Sequence, residues 1–251
     1  MSAAELVALA FAGLGAGAIN TLVGSGTLIT FPVLIAFGYQ PVTANVSNTV
    51  GLVPGSVSGA IGYRRELAGQ GERALRLVPV SVLGSITGAI LLLTLPASAF
   101  KAIVPVFIGL ALVLTALQPR ISRALQAREV ELHAHGGTLT LVALFAVGVY
   151  GGYFGAAQGV IMMAILGVTL PETLQRTNAI KNVLSGFVNG TAGLIFVVAA
   201  HIDWGPAGIL AGSSIVGAQL GARYGRRLPE NGLRAVIIAV GIFAIVRLIT
   251  G

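Results

Sequence analysis

Two short polar clusters stand where an apolar chain tolerates them least. Asn45-Val46-Ser47-Asn48-Thr49 opens one apolar run and Asn178-Ala179-Ile180-Lys181-Asn182 opens another. On a helix, residues three and four apart are neighbours, so Asn45 and Asn48 share a face, as do Asn178, Lys181 and Asn182. Upstream of each lies a glycine-bearing cluster: Asn20, Thr21, Gly24, Ser25, Gly26 and Thr27 before the first, and Tyr150, Tyr153, Gln158 and Gly159 before the second. Amides, hydroxyls and exposed backbone N–H groups donate hydrogen bonds, and Lys181 adds a cation. The chemistry on offer is the holding of a small oxyanion.

Simpler uses exist for each. Small residues at a chain reversal are also helix-packing seams. Asn45 and Asn178 suit helix caps, and Arg176 suits an anchor at the membrane surface. Other chemistries lack their parts. The chain has no cysteine, so it can form no disulfide and no thiolate metal site. Ser25 has no base, because the histidines are His133, His135 and His201, in a linker or at a helix end; this argues against a hydrolase. No Asp or Glu interrupts an apolar run, which disfavours a carboxylate proton relay and a dehydrated metal cation. No cofactor is implied, and His133 with His135 is too small a ligand set for a metal.

The elements that must position these clusters are membrane helices. Hydrophobic residues make up 55% of the 251-residue chain and charged residues 9%, against about 25% charged in soluble domains. Apolar runs cover 6–37, 46–61, 77–95, 103–117, 139–170, 183–200, 205–220 and 233–249. A helical crossing needs about 20 residues, so two of these runs are too long for one crossing. Met1 to Glu5 has no positive charge and carries an acid, unlike a signal peptide. The net charge of +7 comes from arginines in 64–76, 118–137 and 222–234, short basic segments that read as cytoplasmic loops rather than a nucleic-acid surface.

Displacing the chain by 133 residues aligns Gly15 with Gly148, Gly26 with Gly159 and Asn45 with Asn178; a displacement of 129 aligns Ser85 with Ser214 and Gly88 with Gly217. The helix after Asn45 ends at Arg64 and Arg65, whereas its counterpart after Asn178 ends at His201-Ile202-Asp203-Trp204, without Lys or Arg. The two copies therefore point in opposite directions. The expected fold is an all-α polytopic membrane protein with an inverted repeat: 1–117 the first half, 118–137 a cytoplasmic linker, 138–251 the second half, both termini outside. Segments 5–37 and 138–170 must then be hairpins, turning near Val23-Gly24-Ser25-Gly26 and Ala156-Ala157-Gln158-Gly159. Counting each as two helices gives five plus five. Limbs of about 25 Å fall short of a hydrocarbon core of about 30 Å, which suits re-entrant hairpins.

The runs Gly17-Ala18-Ile19-Asn20-Thr21-Leu22-Val23-Gly24-Ser25-Gly26-Thr27, Asn45-Val46-Ser47-Asn48-Thr49 and Gly148-Val149-Tyr150-Gly151-Gly152-Tyr153-Phe154-Gly155-Ala156-Ala157-Gln158-Gly159 resemble the sulfite exporter TauE/SafE permeases over essentially the full length. The resemblance implies transport, usually outward, of sulfite, sulfoacetate or another organosulfonate across the bacterial cytoplasmic (inner) membrane. The expected partners are that anion and lipid. An anion channel is the alternative, and the sequence leaves a homodimer open.

Overall fold

The computed structural model describes residues 1–126 and 137–224, together with 238, 239 and 242. Among these the chain forms nine helices: α1 (Ala3–Leu22), α2 (Thr27–Ala36), α3 (Pro41–Gly62), α4 (Gly71–Thr94), α5 (Ala97–Gln126), α6 (Thr138–Tyr153), α7 (Gln158–Thr169), α8 (Leu174–Ala199) and α9 (Trp204–Tyr224). Four are long and apolar enough to cross a membrane: α1, α4, α5 over Ala97–Leu117, and α8. A capping box fixes the start of α1, where the Glu5 amide donates to Ser2 Oγ and the Ser2 amide donates to Glu5 Oε2.

Burial is inverted relative to a soluble protein. Phe11, Leu75, Leu139, Leu194 and Val198 are exposed, while Asn45, Asn48, Ser81, Ser85 and Lys181 are 0% exposed. Lipid supplies an apolar exterior, so hydrophobicity places the helices in the membrane without deciding which of them touch. Small residues decide that. A Cβ on Gly17 or Gly217 would stand 2.0–2.2 Å from a carbonyl oxygen across the α1–α9 seam, and a Cβ on Gly88 or Gly152 would do the same across the α4–α6 seam. Both pairs are parallel, since contacts climb together from Gly13–Leu210 to Gly17–Ser214 and from Gly148–Ser81 to Gly152–Ser85. Helix α3 also lies along α9, with Gly51 at Leu210 and Gly62 at Ala222. Helix α8 crosses α3 in the opposite sense, Gly193 at Val53 and Asn189 at Ser56.

Both expected hairpins are present, each with a first limb longer than its second. At 1.5 Å per residue α1 is about 30 Å long against about 15 Å for α2, and α6 about 24 Å against about 18 Å for α7. A chain reversal is set where a residue can leave the helix, and the glycines that allow it, Gly24 and Gly155, lie close to the middle of the apolar runs 6–37 and 139–170. The basic segment 64–76 is non-helical only to Gln70, so Arg73 and Arg76 belong to α4. Helix α5 continues past 117 to Gln126. The remainder of the expected linker, 127–136, the basic residues from 225 to 234 and most of the expected last helix lie outside the described residues.

Candidate functional site

Each long limb ends in the same way. The amides of Val23 and Gly24 both donate to Ile19 O, at 2.7 and 3.0 Å, and the amides of Phe154 and Gly155 both donate to Tyr150 O, at 2.9 and 3.0 Å. The residue that leaves the helix is a left-handed glycine each time, Gly24 at φ +85° and Gly155 at φ +75°. The second turn thus spans 154–157, slightly earlier than its glycine spacing suggests, and Gln158 and Gly159 are the first residues of α7. Ala157, at φ +57°, is the one non-glycine with positive φ among the described residues, a strain of roughly 1 kcal/mol or more.

The two tips touch. Gly159 donates its amide to Gly24 O at 3.1 Å, and a Cβ on Gly24 would stand 2.3 Å from Gly159 Cα. Behind this contact, each polar cluster serves the opposite hairpin. Asn45 Nδ2 donates to Tyr153 O at 3.0 Å, at the end of α6. Asn178 Nδ2 and Asn182 Nδ2 each donate to Thr21 O at 3.1 Å, and Lys181 Nζ donates to Asn20 O at 2.9 Å and Thr21 O at 3.4 Å, at the end of α1. The last carbonyls of a helix have no partner within it and carry its negative dipole end, so these amide and amine donors complement a buried break in the helix. Asn45 and Asn178 do act as caps, of other helices' carbonyl ends rather than of their own starts.

Further residues complete the surround. Thr30 Oγ1 donates to Asn48 Oδ1, and Asn48 Nδ2 donates to Thr27 Oγ1 at 3.4 Å. Thr21 Oγ1 donates to Gly17 O at 2.9 Å, and Tyr150 OH donates to Ala156 O at 2.5 Å, so both hydroxyls are occupied. Thr49 is buried one residue beyond Asn48. Phe107 packs edge-on against Tyr150 and Tyr153, ring centroids 5.2 and 6.0 Å apart, and Phe31 packs against Phe154 at 5.2 Å.

Sequence reasoning missed Ser56 and Asn189. Gln158 Nε2 donates to Asn189 Oδ1 at 2.8 Å, Asn189 Nδ2 to Ser56 Oγ at 3.2 Å, and Asn20 Nδ2 to Ser56 Oγ at 3.5 Å. This network ties the second tip to the end of α1. Two signals pointed to the pair: Ser56 and Asn189 are themselves 133 apart, and they extend the faces of Asn45 and Asn178 by three helical turns. Several buried polar atoms have no partner here, Ser25 Oγ, Tyr153 OH, Gln158 Oε1, Asn45 Oδ1 and Asn178 Oδ1 among them. Polar groups in lipid are ordinarily paired, so a collection of open ones at a break in two helices is what a bound solute would complete.

The family model described as sulfite exporter TauE/SafE matches residues 9–248. The chain belongs to this family. It is 27% identical over 234 residues to "Probable membrane transporter protein YfcA" of Escherichia coli K12, covering 92% of this chain and 85% of that protein. It is 30% identical over 238 residues to "Probable membrane transporter protein ORF9" of Sinorhizobium sp, covering 93% and 88%. No solved structure matches it significantly. This TauE/SafE chain is a multi-pass membrane transporter of a small molecule, and not an enzyme.

A second polar centre lies toward the arginine-rich end. Glu172, between α7 and α8, pairs with Arg73 Nη1 at 2.9 Å and Arg176 Nε at 2.6 Å. Arg176 Nη1 also donates to Ala68 O at 3.0 Å, and Gln70 Nε2 donates to Arg176 O at 3.0 Å. The hydrogen bond from Arg176, with support from Arg73, holds the Glu172 carboxyl below the usual carboxylate range against its partial burial. Arg176 is therefore a tie between the loop after α3 and the loop before α8, more than a surface anchor.

Proposed function

We propose that the protein carries a sulfur-containing oxyanion, such as sulfite, sulfoacetate or another organosulfonate, outward across the bacterial inner membrane, bound between the two hairpin tips. The observation that carries this reading is the open hydroxyl of Ser25, 1% exposed and without a protein partner, at the start of α2. The amides of Ser25, Gly26 and Thr27 likewise donate to no acceptor among the described residues. A helix start with free amides attracts an anion, and broken helices meeting inside a bundle are where carriers hold one. The stem of Lys181 passes about 3.1 Å from where a Cβ on Gly159 would stand, which places this side chain beside the meeting point of the tips. The Tyr153 hydroxyl, also buried without a partner, would add a further donor beside Asn20, Thr27 and Asn48, while Gln158 shapes the site through its bond to Asn189.

Packing of the kind an inverted repeat would produce supports the same reading. Helices α1 and α3 pack on α9 as α6 and α8 pack on α4, and each half's asparagine holds the other half's broken helix. In this reading 1–117 and 138–251 are the two halves, both termini lie outside, and one half rocks against the other. The test is flux of labelled sulfite and sulfoacetate by purified protein in proteoliposomes. Trans-stimulated counterflow of one of them is expected; uptake of neither would overturn the substrate class, and flux without trans-stimulation would make the protein a channel.

A further inference from the structure

We infer that the cavity between the arginine-rich ends of α3 and α9 binds the headgroup of an anionic glycerophospholipid. The cavity holds about 620 Å³ and is lined by Arg64, Arg65 and Arg223, with Glu66 and Gln219. Three guanidinium groups against one carboxylate leave its wall with a net positive charge. Its floor is a tight helix crossing, where a Cβ on Gly62 would meet Ala222 Cβ at 2.5 Å. Two of its side chains are fixed: Gln219 Nε2 donates to Ser58 O and Ser58 Oγ at 2.9 and 2.8 Å, and the Arg223 guanidinium lies 5.4 Å from the centre of the Tyr224 ring.

The surroundings favour a lipid over a soluble anion. Val216 and Leu220 lie two turns and one turn below Arg223 on its own face of α9, and Val57 and Ile61 lie beneath Arg64 and Arg65 on α3; all four are exposed. Outward-facing apolar rows ending in paired arginines match a molecule with acyl chains below and a phosphate above. Arginine suits the phosphate, because its planar donors bind two oxygens at once, and basic pockets between membrane helices hold anionic headgroups in this way. The glutamate and the Gln219 carbonyl give a headgroup hydroxyl something to donate to, which a phosphatidylglycerol carries. This site is separate from the hairpin tips and does not depend on the transported anion.

Purified full-length protein, stripped with detergent, would be titrated with mixed micelles containing phosphatidylglycerol or phosphatidylcholine, or with inorganic phosphate or sulfite alone. Thermal unfolding and native mass spectrometry would be read in each arm. The expected result is a higher melting temperature and one retained lipid with phosphatidylglycerol only. Retention should fall about fivefold for Arg223→Gln and again for Arg65→Gln, while Lys101→Gln, on exposed α5, leaves it unchanged. Equal protection by phosphatidylcholine, or the same shift from phosphate or sulfite without lipid, would overturn the assignment. So would retention that survives both arginine changes in protein that remains folded.

Discussion

Gly159 donates its backbone amide to the carbonyl of Gly24 at 3.1 Å, and this hydrogen bond joins the tips of two hairpins 135 residues apart in the chain. Neither glycine can gain a side chain in place: a Cβ on Gly159 would stand 2.4 Å from Gly24 Cα, and one on Gly24 would stand 2.3 Å from Gly159 Cα. Backbone on both sides leaves nothing flexible to yield. Gly159→Ala should therefore part the tips and lower flux by an order of magnitude or more, from misplacement of about 1 Å at a binding site. Gly190→Ala, where nothing lies within 4 Å, should leave flux unchanged. Both variants would be assayed in proteoliposomes after size-exclusion shows them monodisperse. Equal flux from the two would show that the contact has no bearing on transport.

The cationic cap on α1 makes a second prediction. Lys181 is fully buried and gives two of its protons to Asn20 O and Thr21 O. Lys181→Met keeps the length of the stem but leaves those carbonyls with fewer donors. Hydrogen bonds involving a charged group contribute about 1.5–3 kcal/mol each, so the melting temperature should fall by several degrees. Asn178→Ala removes one neutral bond to Thr21 O and should cost about 1 kcal/mol. If the ammonium also faces the substrate, Lys181→Met should raise the half-saturation concentration more than Asn178→Ala does. Thermal unfolding with concentration-dependent flux separates the two effects.

The hairpins were legible because a run of about 33 apolar residues is too long for one crossing and too short for two. Where they turn was legible at the first tip, since Gly24 lies within the expected Val23-Gly24-Ser25-Gly26; the second turn falls slightly earlier than expected, because the left-handed Gly155 rather than Gly159 is the residue that leaves the helix. The polar clusters stood out for the same reason that they matter, being polar residues in lipid. What Asn45 and Asn178 bond to was beyond the sequence, because local capping rules point to their own helix starts while the partners lie more than a hundred residues away. Ser56 was overlooked as one of several hydroxyls in the run 46–61, although a residue at +11 from Asn45 continues its face. Glu172 could be placed at a loop by sequence, but its pairing with Arg73 is a tertiary relation between α4 and the loop before α8.

That pairing carries a pH dependence. Arg176 and Arg73 hold the folded-state pKa of Glu172 below its ordinary value of 4.5. A carboxylate shifted downward contributes stability that is fully present above the unfolded value and is lost as pH falls through the lower, folded one. The contribution of Glu172 to the melting temperature should thus be constant between pH 8 and about pH 5, and should be lost only in stronger acid. Glu172→Gln should lower it throughout the neutral range and flatten the acid drop. An acid transition of the same depth in Glu172→Gln would assign it to other carboxylates. Salt should weaken the tie modestly, as Arg176 is partly exposed.

Ser25 separates a ligand role from a structural one most sharply. Its hydroxyl is buried and has no partner in the protein. A buried unsatisfied polar group costs about 1–3 kcal/mol, so Ser25→Ala should leave the empty protein as stable as before, or slightly more so. If an oxyanion accepts a hydrogen bond from that hydroxyl, the same change should weaken binding by about tenfold or more, from the loss of a bond to a charged group. The measurements are thermal unfolding without substrate and flux against substrate concentration. Ser25→Thr, which retains the hydroxyl, should recover part of the affinity if the backbone at the turn admits the extra methyl. A variant Ser25→Ala that is unaltered in both measurements would remove Ser25 from the site, and one that is destabilised without substrate would mean that the hydroxyl already has a partner in the folded protein.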